Sequence, residues 1–122
     1  MRTHHVEMRK LTAEPPGFVD VTDDLSAALA ESGIVDGQVT VFAPDASCSI
    51  VVNELESGLL EDVRRALERM RAHDGIAPLI GSASIVLPAV GGRLRLGTWQ
   101  RVLLVELDKA SDRELVIRIL GE

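Results

Sequence analysis

The chain has 122 residues and a net charge of -6, enough for one domain with a core of its own. Hydrophobic residues make up 46% and charged residues 26%, the balance of a soluble globular protein. Its acidity, with Phe18, Phe42 and Trp99 as the aromatics, excludes a general nucleic-acid binder, which needs a basic footprint or stacking faces.

Residues Thr3 to Lys10 mix β-branched, polar and basic types and predict a first strand at a sheet edge. Pro15-Pro16-Gly17 is a turn, and Phe18 to Val21 a short strand. Thr22 or Asp23 offers an N-cap, and Asp23 and Asp24 suit a helix N-terminus. Leu25, Ala28 and Leu29 share one face of that helix, which ends near Gly33. Asp36-Gly37 marks a turn. Val39 to Ala43 then alternates as a strand, and Ser49 to Val52 makes another. Pro44 to Cys48 connects these two strands.

The clearest helix runs from Ser57 to Ala72, with Leu59, Leu60, Val63, Leu67 and Met70 at helical spacing. Glu61 and Asp62 lie early in it and Arg64, Arg65, Arg69 and Arg71 late, which complements the helix dipole. These arginines predict a solvated face shared with Glu61 and Glu68. His73-Asp74-Gly75 closes the helix and Pro78 blocks its continuation. Strands follow at Ile85 to Leu87, Arg93 to Leu96, Arg101 to Leu107 and Arg113 to Leu120, with a hairpin turn at Gly91-Gly92. No repeat or linker interrupts residues 1–122. The order predicts a single α+β domain of largely antiparallel sheets with two helices.

Cys48 is the sole cysteine, so no intrachain disulfide can form, which suits a reducing compartment. Outside any paired motif it predicts a buried, inert thiol. No apolar run approaches the ~20 residues of a membrane span, and Met1 to Glu7 has no apolar signal core. The expectation is a cytoplasmic protein with no membrane partner. His4 and His5 adjoin in a strand, point to opposite faces and cannot share one ion.

The segment Gly91 to Gln100 is richest in site chemistry. Gly97 permits a tight turn or a close ligand approach. Thr98 and Gln100 bring hydrogen-bonding groups, and Trp99 brings a broad apolar face with one donor, the mixture that concave small-molecule sites use. The same residues would also make a β-turn with Trp99 plugging the core. Arg93 and Arg95 share a strand face and would either bind an anion near Gly97 or lie on the surface.

Ser84-Ile85-Val86-Leu87-Pro88, Gly92-Arg93-Leu94 and Gly97-Thr98-Trp99-Gln100 together resemble the YjbQ family, whose members are named secondary thiamine-phosphate synthase enzymes. Val105-Glu106-Leu107-Asp108, Asp112-Arg113 and Gly121-Glu122 extend the resemblance over nearly the whole chain. In a second stretch, Ser47 and Asn53-Glu54 match the family pattern, while Asp45 stands where the family has histidine and Ala46 where it has threonine. Asp62 falls where the family usually carries aspartate. His73-Asp74 resembles a family pair, but Ala77-Pro78-Leu79 occupies the place of a further histidine in a shortened loop.

The resemblance implies a compact α+β fold and a homotrimer with its site near subunit boundaries. It implies weak thiamine-phosphate synthase activity, which joins hydroxymethylpyrimidine pyrophosphate to thiazole phosphate with loss of pyrophosphate. Glu54 and His73 would then be the catalytic acid/base groups, with Ser47, Asn53, Gly97, Thr98, Trp99 and Gln100 positioning the ligand. A divalent metal, if the family's chemistry persists, would rest on Asp45, Glu54 and His73. The alternative is a non-catalytic trimer that binds a small anion or metabolite in a remodelled pocket. The missing histidines and the short loop favour it.

Overall fold

The computed structural model describes residues 1–71 and 81–122. Among these residues the elements run β1 (Arg2–Leu11), β2 (Gly17–Asp20), α1 (Thr22–Ser32), β3 (Gly37–Phe42), β4 (Cys48–Glu54), α2 (Ser57–Arg71), β5 (Ser84–Val90), β6 (Arg93–Leu94), β7 (Gln100–Glu106) and β8 (Asp112–Gly121). Five strands form one sheet in the order β1-β8-β3-β5-β6, and three form a second in the order β2-β7-β4. All the pairings are antiparallel. The α+β expectation holds, and β1 is indeed an edge strand.

Alternation sets the inner face of the larger sheet. Val39 and Val41 of β3, Leu87 and Ala89 of β5, and Leu115, Ile117 and Ile119 of β8 are buried. They share one core with Leu25, Ala28 and Leu29 of α1 and with Ile50, Val102 and Leu104 of the smaller sheet. Strand β7 is central in the smaller sheet and covered on both faces. Leu104 joins the main core while Val105 packs with Leu67 of α2. Its run Val102-Leu103-Leu104-Val105 is therefore apolar without alternation.

Neither Thr22 nor Asp23 caps α1. The helix begins at Thr22 itself, after Val21. Asp20 Oδ1 accepts the Thr22 N–H at 2.9 Å, and the Thr22 hydroxyl accepts the Val102 N–H at 2.8 Å. Thr22 thus ties the helix start to β7. Gly33 ends α1 in the left-handed region, φ 71°, as its composition predicts. At the start of α2, the Glu56 carboxylate accepts the N–H groups of Gly58 and Leu59 at 2.8 and 2.6 Å. On the exposed face of α2, Glu61 meets Arg64 and Arg65 at 3.9 and 3.3 Å.

Two connections differ from the simplest reading. β3 and β4 belong to different sheets, so Pro44 to Ser47 carries the chain from one layer to the other. β6 stops at Leu94, short of Leu96. The Arg95 N–H reaches the Pro88 carbonyl at 2.8 Å, and the chain then turns away from the sheet. The Gly91-Gly92 hairpin forms as expected, with φ 61° and 79°. The expectations placed on His73, Asp74, Gly75, Ala77, Pro78 and Leu79 lie outside the described residues. Among the described residues no helix is long and apolar enough to cross a membrane.

Candidate functional site

A cleft of about 310 Å³ opens between α1 and the segment Gly92–Arg101. Thr22 and Ser26 border it from α1, and Arg93, Thr98, Gln100 and Arg101 from the opposite wall. Thr22 and Ser26 are four apart on one helix and so lie on one face. Gln100 builds the turn beneath: its Oε1 accepts the Gly97 N–H at 2.7 Å, and its own N–H reaches the Gly97 carbonyl at 3.0 Å. Gly97 is not in the left-handed region. A Cβ there would lie 3.0 Å from Gln100 Oε1, so glycine makes room for the carboxamide that closes the turn.

The charges around this cleft are unequal in effect. Arg101 Nε lies 2.6 Å from Asp20, and its Nη2 lies 3.2 Å from Asp23. Burial pushes the Asp20 carboxyl up, but hydrogen bonds from Thr22 and Arg101 outweigh that and hold it below its ordinary value. The Arg101 charge is thus offset. Arg93 has no ion-pair partner among the described residues and is the cleft's uncompensated cation. Arg95 instead donates to the Leu96 carbonyl at 3.0 Å.

Trp99 does not plug the core. It is 74% exposed and borders a separate hollow of about 470 Å³ with Glu54, Leu55 and Glu56. The register that pairs Glu54 with Gln100 brings the end of β4 beside it.

A third cluster is buried. Glu106, with no exposed surface, takes hydrogen bonds from Thr12 Oγ1 (2.7 Å), Ser47 Oγ (3.2 Å), the Asp108 N–H (3.2 Å) and Arg113 (2.8 and 3.2 Å). Asp45 lies 3.5 Å from the same guanidinium. Burial, then the nearby Glu106 charge, raises the Cys48 thiol to about 11, so this sulfur stays protonated at neutral pH, as an inert thiol should.

Two of the residues predicted for a metal, Asp45 and Glu54, are set apart by β4. Asp45 precedes β4 and Glu54 ends it, and a strand of 7 residues separates its ends by roughly 20 Å. Asp45 is already ion-paired to Arg113, and His73 lies outside the described residues. No group of three His, Cys, Asp or Glu suited to a metal occurs among the described residues. Asn53 Oδ1 accepts the Glu54 N–H at 2.8 Å, and Asn53 lines a different, apolar hollow under α2.

The predicted residues therefore divide. Gly97, Thr98 and Gln100 share the cleft, Glu54 and Trp99 share the hollow, and Asp45 and Ser47 join the buried cluster. Sequence reasoning missed Thr22, Ser26 and Arg101 at the cleft, and it missed the role of Glu106. A carboxylate that closes the apolar run Val102 to Val105 was the available signal for the last.

A model of the family described as UPF0047 protein YjbQ-like matches residues 7–122. The chain is similar to a UPF0047 protein of Archaeoglobus fulgidus, 32% identical over an alignment 130 residues long, which covers 94% of this chain and 100% of the relative. A UPF0047 protein of Methanothermobacter thermautotrophicus is 30% identical, with 100% and 95% covered. Among solved structures, a YbjQ-like protein of unknown function from Sulfolobus solfataricus superimposes with a TM-score of 0.88 at 31% identity, covering 99% of each chain. An uncharacterised member of the YjbQ/UPF0047 family from Clostridium acetobutylicum gives 0.87 at 26% identity, covering 94% of this chain and 99% of that one.

Proposed function

Because the chain belongs to the YjbQ-like family UPF0047, a family of unknown function, we propose that it binds a small anionic metabolite in the cleft between α1 and Gly92–Arg101. The observation that carries this reading is Arg93, without an ion-pair partner among the described residues, in a cleft that Ser26 and Thr98 also line. A guanidinium with neighbouring hydroxyl donors suits a phosphate or pyrophosphate group. The position of Asp45, bound to Arg113 and remote from Glu54 along β4, supports a binding role without a metal centre.

The synthase-type reading draws on Arg93 as well, since a leaving pyrophosphate needs a cation. Calorimetric titration with inorganic pyrophosphate, on the wild type and on Arg93→Ala, tests the cleft. Binding that is lost in Arg93→Ala supports it, and equal binding by both removes it. Formation of thiamine phosphate by the purified protein, abolished in Glu54→Ala, would replace the binding role with the enzymatic one.

The reading includes a homotrimer. Phe42, Val86 and Val90 are 40%, 56% and 56% exposed on the outer face of the larger sheet. The register places Val116 beside Phe42 there. Exposed apolar patches of this kind mark association surfaces. A cytoplasmic location rests on the lone, buried cysteine.

A further inference from the structure

Trp99 and the anion cleft adjoin the same turn, yet their surroundings carry opposite charge. The cleft presents Arg93, whereas the hollow beside Trp99 is walled by Glu54, Leu55 and Glu56. Among the described residues no basic side chain lines this hollow.

Its walls are set by the fold. The paired hydrogen bonds between Gly97 and Gln100 hold the turn that displays Trp99. The Glu56 carboxylate is fixed by the Gly58 and Leu59 N–H groups, and these bonds hold it below the ordinary glutamate value. It is a positioned negative charge. The Glu54 carboxylate makes no hydrogen bond or ion pair among the described residues. Leu55, 52% exposed, supplies an aliphatic wall.

An aromatic face attracts a cation through its quadrupole, and indole does so best. Two carboxylates reinforce that attraction and repel an anion. A hard ion such as Mg²⁺ or Ca²⁺ takes oxygen ligands and gains nothing from the apolar walls, Trp99 and Leu55. An alkylated ammonium does gain from them. It is weakly hydrated, its methyl groups fit against Trp99 and Leu55, and its charge faces Glu54 and Glu56. A neutral molecule of the same shape would gain only the apolar contacts.

We propose that the hollow beside Trp99 is a binding site for an alkylated ammonium ion, with Trp99 supplying the face and Glu54 the ungated charge. The site is separate from the anion cleft and goes beyond that reading. Because the hollow is open to water, binding is weak, in the millimolar range.

Trp99 is the sole tryptophan and the chain has no tyrosine, so intrinsic fluorescence reports this site directly. The probes are choline chloride and its uncharged isostere, in which carbon replaces nitrogen. Choline is expected to give a saturable change in Trp99 emission, weakened about fivefold in Glu54→Gln, the effect of roughly one exposed charge contact. The isostere gives no saturable change. Broadening of the choline methyl proton resonance by the protein is expected to vanish in Trp99→Leu, whose far-ultraviolet dichroism should match the wild type. A linear, unsaturable response to choline overturns the proposal, as does an equal response to the isostere or full binding by Glu54→Gln. Pyrophosphate calorimetry on Arg93→Ala reads the cleft independently, so failure of one site is not failure of the other.

Discussion

Arg113 clamps Glu106 through two hydrogen bonds, Nε to Oε1 at 2.8 Å and Nη2 to Oε2 at 3.2 Å. The carboxylate has no exposed surface, and the arginine side chain is 14% exposed. The pair joins residues of β7 and β8 and so links the two sheets. Thr12 and Ser47 add the loops after β1 and β3.

Removing one partner should cost more than the pair contributes. Arg113→Ala leaves a buried carboxylate uncompensated and is expected to destabilise the fold by about 3–5 kcal/mol. Urea denaturation at neutral pH measures this. Glu106→Gln keeps the shape, and its neutral amide can still accept from Arg113, so its loss should be smaller. Equal stability of Arg113→Ala and the wild type would show that the clamp holds nothing together.

The same clamp fixes an acid response. Burial pushes the Glu106 carboxyl up, but bonds from Arg113, Thr12 and the Asp108 N–H outweigh it and hold the value below normal. A depressed carboxylate stabilises the fold above its unfolded value, about 4.3, and that contribution is lost as pH falls through the folded value. Asp20 acts in the same direction. The urea midpoint of the wild type should therefore fall as pH drops below about 4.3, and more steeply than that of Glu106→Gln. Parallel curves for the two proteins would remove Glu106 from the acid response.

Two glycines should differ in their tolerance of alanine. Gly33 ends α1 at φ 71°, with the flexible Arg2 guanidinium nearest a new Cβ, so Gly33→Ala should cost about 1 kcal/mol from backbone strain. Gly37 opens β3 against β8, and a Cβ there would overlap the Leu120 carbonyl. Gly37→Ala must separate that strand pair and should lower the thermal midpoint much further. Equal midpoints for the two variants would contradict the close approach of β3 to β8.

Much of this architecture was legible in the chain because burial is one-sided. Val39 and Val41 alternate with Gln38 and Thr40, and Leu25, Ala28 and Leu29 fall on one helical face. Each pattern has a single physical cause. The partition of strands between sheets was not legible, since β3 and β4 look like neighbours in sequence and only the crossing at Pro44 to Ser47 separates them. The candidate site was legible in composition but not in arrangement. Asp45 and Glu54 carry the right chemistry for a shared ion, yet β4 sets them at its two ends. Gln100 reads as a ligand group, yet its carbonyl oxygen is taken by Gly97. Periodicity tells which face a side chain takes; it does not tell which polar groups have already found partners.

The outer face of the larger sheet makes the last prediction. Phe42 and Val116 lie side by side on β3 and β8, and Val86 pairs with Thr40 on the adjoining strand, so their exposed carbons form one patch. Placing a charge in its middle should block close association while leaving the inner core untouched, because Val86 points away from Leu87 and Ala89. Light scattering after size exclusion should give the wild type a mass near three chains of 13.2 kDa and Val86→Glu a mass near one. Val35→Glu, a charge at another exposed apolar residue outside this face, should keep the wild-type mass. A single-chain mass for the wild type would remove the trimer. A retained trimer in Val86→Glu would move the interface elsewhere and leave the apolar face of β3, β5 and β8 without a partner.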